Sequence, residues 1–228
     1  MAEEKSKPKV YVETTVVSDA TALPTNDLVL AGRQYITREW WKTARERFDL
    51  YSSRTVDIEI RRGDVEAAQR RIAALKDVPE VETTDASIRL ARELIDRKAV
   101  PKEYPDDALH IATAATNGLD FLVSWNFKHI TNANTIPLIE RICEENGYQC
   151  PLYLYASDAS GRRSRMTYDK TLEEIWRVKR EIGAEYPTLD DYFKGMLDYQ
   201  SKSRAEGVTL VRFPPRRPLA RRTPTVVE

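Results

Sequence analysis

The stretch from residue 101 to residue 131 constrains the fold more than any other part of this sequence. Pro105 suits the first turn of a helix, and the carboxylates of Asp106 and Asp107 suit its positively polarised end. The Asn-Gly pair at 117–118 is a typical helix terminator. Between these signals almost every residue is Ala, Leu, Ile or Thr, so we predict a helix of about a dozen residues that is buried on most sides.

A short apolar strand, Phe-Leu-Val, follows this helix at residues 121–123. A helix, a glycine turn and a buried strand make half of a βαβ unit, which indicates a parallel sheet. The strand runs into Asn126 at what becomes the carboxyl edge of the sheet, where open α/β folds bind ligands. We therefore expect Asn126 to meet Asp107 there. Asp107 and His110 share one helix face, whereas Asp106 lies about 100° around the helix and is predicted to point elsewhere.

Two acids near strand ends have a structural and a functional interpretation, and the residue patterns leave both open. Acids in a first helical turn commonly interact with the helix dipole, which explains Asp107 without any chemistry. Glu13 interrupts the β-branched and aromatic run 9–17, which is predicted as the first central strand. It is either an exposed strand-end residue or a buried acid that needs a cation, a set of donors or a metal.

Helix and strand signals alternate through the first 155 residues. Helices are expected at 31–49, 55–62, 64–75, 85–98 and 135–146, and strands at 50–52, 79–83 and 152–155. This alternation predicts an α/β fold with three layers around a central parallel sheet. Asp57 and Glu59 lie two residues apart on one of these helices and so occupy different faces, which lets at most one of them face inward.

A second module is predicted after a linker at 156–166, which has no apolar periodicity. Two amphipathic helices, at 171–182 and 189–204, cannot bury their apolar stripes alone and should pack on another surface. Lys179 lies within the stripe of the first helix, beside Leu172, Ile175, Trp176 and Ile182. An extended tail rich in arginine and proline follows. The predicted domains are therefore 9–155 and a helical appendage at 167–228.

Composition argues against several classes of protein. The chain has 36 Lys and Arg against 36 Asp and Glu in 228 residues, so its net charge does not indicate a nucleic-acid partner. No run approaches the roughly 18 apolar residues that a membrane span needs, and the charged N-terminus lacks a signal-peptide pattern, so we expect a cytoplasmic protein with no membrane partner. Cys143 and Cys150 can pair in principle but are expected to be reduced structural thiols.

Five short motifs together resemble the PIN-domain nucleases, specifically their VapC-like toxin branch. In chain order they are Val-Tyr-Val-Glu-Thr-Thr at 10–15, Thr-Arg-Glu-Trp-Trp at 37–41, Val-Asp-Ile-Glu-Ile-Arg-Arg-Gly-Asp at 56–64, Asp-Ala-Leu-His-Ile-Ala at 107–112 and Ser-Trp-Asn-Phe-Lys-His at 124–129. The resemblance covers roughly residues 9–155. It implies a parallel sheet whose carboxyl edge carries acids that bind Mg²⁺ or Mn²⁺ to hydrolyse RNA.

Carried over by position, the resemblance implies that Glu13, Glu59 and Asp107 are the catalytic and metal-binding acids. Glu13 stands where Asp is commoner in the wider family. Asn126, the fourth catalytic position, stands where many members have another acid, which puts a second metal site in doubt. The chemistry is consistent with a metal, because converging carboxylates repel each other unless a divalent cation neutralises them.

The resemblance also implies substrate contacts from Thr14, Lys128 and His129. Lys128 and His129 are expected at the rim of the site, where they either touch substrate phosphates or are simply exposed to solvent. His110 is interpreted as a hydrogen-bonded core histidine rather than as a catalytic residue.

The second module resembles a short VapB-like antitoxin, mainly through its helix layout and Phe-Pro-Pro-Arg-Arg-Pro at 213–218. This likeness implies a toxin and its inhibitor in one polypeptide, acting in cis or on a second protomer, and PIN-like toxins commonly form homodimers. Arg212, Arg216 and Arg217 are the predicted inhibitory residues, because guanidinium groups stay charged and pair well with carboxylates. A basic tail that binds RNA loosely is the alternative.

The leading functional prediction is therefore a metal-dependent endoribonuclease inhibited by its own C-terminal segment. The alternative is a non-catalytic PIN-like scaffold or an RNA-binding protein, in which Glu13 and Asn126 mark a degenerate metal site. A DNA-binding regulator has little support, because no helix or ribbon suited to reading DNA is evident in the second module.

Overall fold

The structure of the chain, a computed structural model, describes residues 6–154 and 170–218. Its strands in chain order are β1 (Lys9–Val12), β2 (Asp49–Ser53), β3 (Glu80–Val81), β4 (Phe121–Val123), β5 (Leu152–Leu154) and β6 (Leu210–Val211). They form one sheet in the order β5-β4-β1-β2-β3-β6, and every pairing is parallel. The predicted α/β class with a central parallel sheet is confirmed.

The helices connect these strands. In chain order they are α1 (Thr14–Thr21), α2 (Leu28–Arg47), α3 (Arg54–Ile60), α4 (Val65–Leu75), α5 (Asp85–Asp96), α6 (Pro105–Thr116), α7 (Ile136–Glu145), α8 (Lys170–Ala184) and α9 (Leu189–Ala205). The helices expected from the sequence are all present, with ends that differ by a few residues. In the described part of the chain, none of them combines the length and the apolar content that crossing a bilayer requires.

Helix α6 and strand β4 form as the sequence predicts. All twelve residues of α6 are buried, Pro105 lies at its first position, and Gly118 beyond its end has a φ of 58°. A Cβ atom at Gly118 would lie 2.6 Å from the carbonyl oxygen of Pro214, so this glycine also allows the C-terminal segment to approach closely.

The first strand is shorter than predicted. The run 9–17 was expected to be strand throughout, but β1 ends at Val12 and the chain becomes helical at Thr14. Glu13 is the N-cap of α1, and its carboxylate accepts a hydrogen bond from the backbone N–H of Thr15 at 2.9 Å. This cap stabilises the start of a helix whose β-branched residues favour a strand, and packing overrides that local preference.

The C-terminal segment shares the core of the preceding residues. Strand β6, which the sequence analysis did not predict, pairs with β3 through Leu210 opposite Glu80 and Val211 opposite Val81. Trp176 and Phe193 of the two amphipathic helices belong to the same hydrophobic core as the sheet. The predicted linker at 156–166 and the tail beyond 218 lie outside the described residues, and the division into two domains stays a prediction.

A candidate metal centre closed by a lysine

The candidate site lies at the carboxyl edge of the sheet. Glu13 follows β1 directly, and Asp106 and Asp107 are in the first turn of α6. Glu59 is on α3, which begins immediately after β2. These four side chains, called the acid cluster below, are at most 3% exposed. Three of them are the acids predicted from the sequence.

The cation at the centre of the acid cluster is Lys179 of α8. Its Nζ lies 2.7 Å from Asp107 Oδ1, 3.0 Å from Glu13 Oε1, 3.3 Å from Glu59 Oε1 and 3.7 Å from Asp106 Oδ2, and the residue is fully buried. Burial alone would lower the pKa of Lys179, but the four carboxylates, led by Asp107, raise it well above its usual value. The lysine is therefore held as an ammonium ion in the position where a metal would neutralise these acids.

Neutral donors orient the carboxylates. Glu13 Oε2 accepts from Ser124 Oγ at 3.0 Å and also from the Thr15 hydroxyl. The Thr14 hydroxyl donates to Glu59 Oε2. Thr14 is therefore placed against a predicted metal ligand, while its predicted contact with substrate stays a prediction.

Asp107 receives three polar contacts. Besides Lys179, it accepts from Asn126 Nδ2 at 3.0 Å, and its Oδ2 lies 2.8 Å from His129 Nδ1. Burial would raise the pKa of Asp107, but Lys179 and His129 lower it to about 2. The expected meeting of Asn126 with Asp107 is confirmed.

His129 and Lys128 differ in their surroundings. His129 is 4% exposed, so the expectation that it lies at an open rim is wrong: its hydrogen bond to Asp107 turns it inward. Lys128 is exposed, and its Nζ lies 4.9 Å from the centroid of the Trp176 ring. A cation–π contact of this kind holds the lysine near the site, and its predicted contact with phosphate remains untested.

His110 is buried and hydrogen-bonded on both ring nitrogens, as expected for a core histidine. Its Nδ1 lies 2.7 Å from the Tyr11 hydroxyl, and its Nε2 lies 3.1 and 3.2 Å from the two oxygens of Glu59. Burial would raise the pKa of Glu59, but Lys179 and His110 hold it well below its usual value. Glu59 is therefore ionised, and His110 fixes its position.

The prediction that Asp106 points away from the site is wrong. Helix α8 packs against α6 and brings Lys179 within reach of both Asp106 and Asp107, so the 100° between them does not separate them. Among the described residues, no donor reaches either oxygen of Asp106. Burial, together with the charges of Asp107 and Glu59, raises the pKa of Asp106 well above its usual value. When protonated, Asp106 can donate to Glu59.

The predicted inhibitory arginines do not contact the acid cluster. Arg216 pairs with Asp120, which directly precedes β4 and therefore lies at the opposite edge of the sheet, and Arg212 and Arg217 are exposed. The tail follows this path because β6 pairs with β3 and the backbone N–H of Phe213 donates to Asn117 Oδ1. Lys179, not an arginine of the tail, supplies the positive charge beside the acid cluster. The only sign of this role in the sequence was its position as a lysine within an apolar helix stripe.

A small cavity borders the acid cluster. It has a volume of about 40 Å³ and is lined by Thr14, Glu59 and Lys179 among other residues. A volume of this size accommodates a few water molecules and excludes a nucleotide. While α8 is packed in this position, this cavity gives a substrate no route to the acids.

The donor set fits a divalent metal. One ligand atom from each of Glu13, Glu59 and His110 lies within 4.8 Å of the other two, and all three residues are buried. Carboxylate oxygens are the ligands that Mg²⁺ and Mn²⁺ prefer. The fold and this site together define an α/β protein with a buried carboxylate cluster closed by its own lysine. Comparisons with models of known families, with curated proteins and with solved structures found no match for the chain.

Proposed function

We propose that this chain is a Mg²⁺- or Mn²⁺-dependent endoribonuclease of the PIN-like toxin type, kept inactive by its own antitoxin-like C-terminal segment. The observation that carries the proposal is the insertion of Lys179 among four buried carboxylates at the carboxyl edge of a parallel sheet. The five motifs that resemble PIN-domain nucleases supply the substrate class, RNA.

The acid cluster has the composition that phosphodiester hydrolysis needs. A divalent cation bound there supplies Lewis-acid stabilisation of phosphoryl oxygens and lowers the pKa of a water. Glu13, Glu59 and Asp107 would hold that cation, with Ser124 and Thr14 fixing the carboxylates of Glu13 and Glu59. Asn126 holds Asp107 through its amide and can also orient the attacking water.

Inhibition follows from the same contacts. The Lys179 ammonium group neutralises the carboxylates that a metal ion would otherwise neutralise, and α8 shields these acids from solvent. Two like charges cannot share so small a buried space, so the metal and Lys179 exclude each other. Activity then requires that α8 moves away from the acid cluster, and removal of the Lys179 charge favours this movement, because it deletes the ion pairs that hold α8 there and leaves buried carboxylates unpaired.

The experiment is a cleavage assay on end-labelled RNAs with the full chain, comparing the unaltered protein with Lys179→Met, in Mn²⁺ and in chelator. Methionine keeps most of the length of the side chain, apart from the terminal nitrogen, and removes its charge. We expect no cleavage by the unaltered chain and Mn²⁺-dependent cleavage by Lys179→Met. Circular dichroism and a urea midpoint establish that the variant is folded.

Two neighbouring acids on α3 provide the matched control. In the Lys179→Met background, Glu59→Gln should reduce cleavage by about 10²–10³-fold, because Glu59 faces the site. Asp57→Asn should leave cleavage within about threefold, because Asp57 pairs with Arg54 and Arg61 on the other face. Equal losses from both substitutions, or a folded Lys179→Met that cuts no RNA in a broad panel, would overturn the proposal.

The second candidate is a non-catalytic scaffold in which the ion cluster is purely structural. Two observations favour it: Lys179 contacts all four acids, and Asn126 stands where a fourth acid is common in PIN-like nucleases. A folded Lys179→Met that neither binds Mn²⁺ in calorimetry nor cuts RNA would select this candidate.

A further inference from the structure

We infer that the cation site is completed by the imidazole Nε2 of His110, beside Glu13 and Glu59, and that it therefore selects a divalent ion that accepts nitrogen ligands, such as Mn²⁺, Co²⁺ or Zn²⁺, over Mg²⁺. This inference rests on the metal-binding half of the proposed function and is independent of whether RNA is the substrate.

The geometry brings the three ligand atoms within range of a single ion. Each lies within 4.8 Å of the other two, whereas adjacent ligands of an ion at about 2.1 Å lie about 3.0–3.6 Å apart. The side chains therefore need to close by up to about 1–2 Å to hold one ion. Glu13 and Glu59 also contact Lys179, so the ion and the lysine compete for the same two carboxylates.

A chain of hydroxyl groups behind His110 allows its ring to change tautomer. Tyr11 Oη lies 2.6 Å from Ser53 Oγ and 2.7 Å from His110 Nδ1, and all three residues are buried. With Lys179 in place, Nε2 faces the Glu59 carboxylate, which can only accept, so Nε2 donates to it. An ion bound at Nε2 would take the place of that proton, and the Tyr11 oxygen could then accept a hydrogen bond from Nδ1–H while its own O–H turns to Ser53 Oγ.

Behind a metal-binding histidine, a hydrogen bond from the second nitrogen fixes the tautomer and the ring orientation. The Tyr11 hydroxyl is in position to accept that bond, because it accepts and donates equally well.

Asp106 is an independent indication that this space suits a cation of higher charge than an ammonium group. Its carboxylate is 1% exposed, lies 3.7 Å from Lys179 Nζ and receives no donor within the described residues. Four carboxylates surround one ammonium ion, so the cluster carries more acid than Lys179 balances. A divalent ion would compensate this charge more fully than the lysine does.

The nitrogen ligand sets the selectivity. Mg²⁺ demands oxygen ligands in a near-ideal octahedron and gives up its waters reluctantly. Imidazole binds the later divalent ions more strongly, in the order Mn²⁺, Co²⁺, Zn²⁺. A site that adds an imidazole to its carboxylates therefore favours these ions, even where Mg²⁺ is more abundant.

The test measures metal binding to the full chain carrying Lys179→Met by titration calorimetry with Mn²⁺, Zn²⁺ and Mg²⁺. We expect Mn²⁺ to bind at least about tenfold more tightly than Mg²⁺. Adding His110→Gln should weaken Mn²⁺ binding by about 10–100-fold and should abolish the preference for Mn²⁺ over Mg²⁺, because the nitrogen ligand is lost. Tyr11→Phe, which removes only the hydroxyl, should weaken Mn²⁺ binding by a smaller factor in the same direction.

Nitrogen-15 NMR of the histidine rings gives a readout that does not depend on activity. In the unaltered chain, Nε2 of His110 should carry a proton, because it faces the Glu59 carboxylate. In Lys179→Met, Zn²⁺ should shift the Nε2 resonance and displace that proton. An Nε2 resonance that Zn²⁺ leaves unchanged in a folded Lys179→Met chain would overturn the inference.

The outcomes separate this inference from the proposed function. Equal affinity for Mg²⁺ and Mn²⁺ with unchanged His110 resonances would overturn the role of His110 and leave the nuclease proposal standing. Mn²⁺ binding through His110 without RNA cleavage would support the inference and contradict the nuclease. A folded Lys179→Met that binds no metal would overturn both.

Discussion

The two faces of helix α3 carry two ion clusters that differ in charge balance. On one face Asp57 pairs with Arg54 and Arg61, and Glu80 also pairs with Arg54, which gives two acids and two arginines. On the other face Glu59 belongs to a cluster of four acids around Lys179. The residues Asp57 and Glu59 are only two positions apart, so the helix separates two ionic environments of different composition.

The difference shows which cluster is built to exchange its cation. Burial would raise the pKa of Asp57, but hydrogen bonds from Arg61 and Tyr199 lower it, and its partners come from α3 itself and from α9. All the acids around Lys179 come from residues 13–107, while the lysine comes from α8 beyond the predicted linker. A cluster whose acids and bases balance has no net negative charge to attract a metal ion, whereas a cluster with excess acid does.

The largest expected effect is the loss of stability when Lys179, the buried cationic side chain of the acid cluster, is replaced. Lys179→Met should lower the free energy of unfolding by about 3–5 kcal/mol in chelator, because it leaves buried carboxylates without a partner. Saturating Mn²⁺, at about 100 times the dissociation constant, should restore about 2.7 kcal/mol. Urea unfolding of the full chain, with and without Mn²⁺, measures both quantities.

Arg54→Met is the matched control on the other face of α3. It should cost less, about 1–3 kcal/mol, because Asp57 keeps Arg61 and Tyr199 as partners. Mn²⁺ should not restore any of this loss. If Mn²⁺ stabilised both variants equally, the distinction between an exchangeable and a structural cluster would be wrong.

The next effect concerns acid stability and uses Asp107. Its pKa is lowered to about 2 in the folded protein from an ordinary value of 3.8, so the stability it contributes is present above pH 3.8 and is lost as the pH falls toward 2. Asp107→Asn should therefore cost about 2 kcal/mol at pH 7, and the cost should shrink to nothing near pH 2. Chemical unfolding at several pH values measures this slope, and a cost that did not depend on pH would indicate lost packing instead of lost charge.

The sequence predicts the features that depend on interactions between residues close together in the chain. Pro105 and the Asn-Gly pair at 117–118 act within α6, so its limits follow from local rules. The different faces of Asp57 and Glu59 follow from helix geometry alone, and the structure confirms that they face different clusters. The parallel sheet follows from the alternation of elements.

The parts that sequence analysis missed depend on long-range packing. Lys179 becomes the partner of the acid cluster only because α8 packs on α6, and nothing within α8 identifies the acids that it meets. The arginines of the tail were the more obvious cations by count, but β6 directs them to the other edge of the sheet. Strand β6 has two residues, too few for a period to be visible in the sequence.

The smallest expected effect has the opposite sign and uses Asp106. Burial and the neighbouring acids raise its pKa well above 3.8, so its contribution to stability is fully present below pH 3.8 and is lost as the pH rises through the folded value. Asp106→Asn removes this penalty and keeps a group that can donate to Glu59. The variant should be about 1 kcal/mol more stable than the unaltered chain at pH 7, with the gain vanishing near pH 3.8.

Unfolding measured for Asp106→Asn and Asp107→Asn over the same pH range tests this contrast directly, because the two adjacent acids should give pH slopes of opposite sign. A loss of stability at pH 7 would mean that the charge of Asp106 helps to hold Lys179, and would remove the evidence that this cluster carries excess acid.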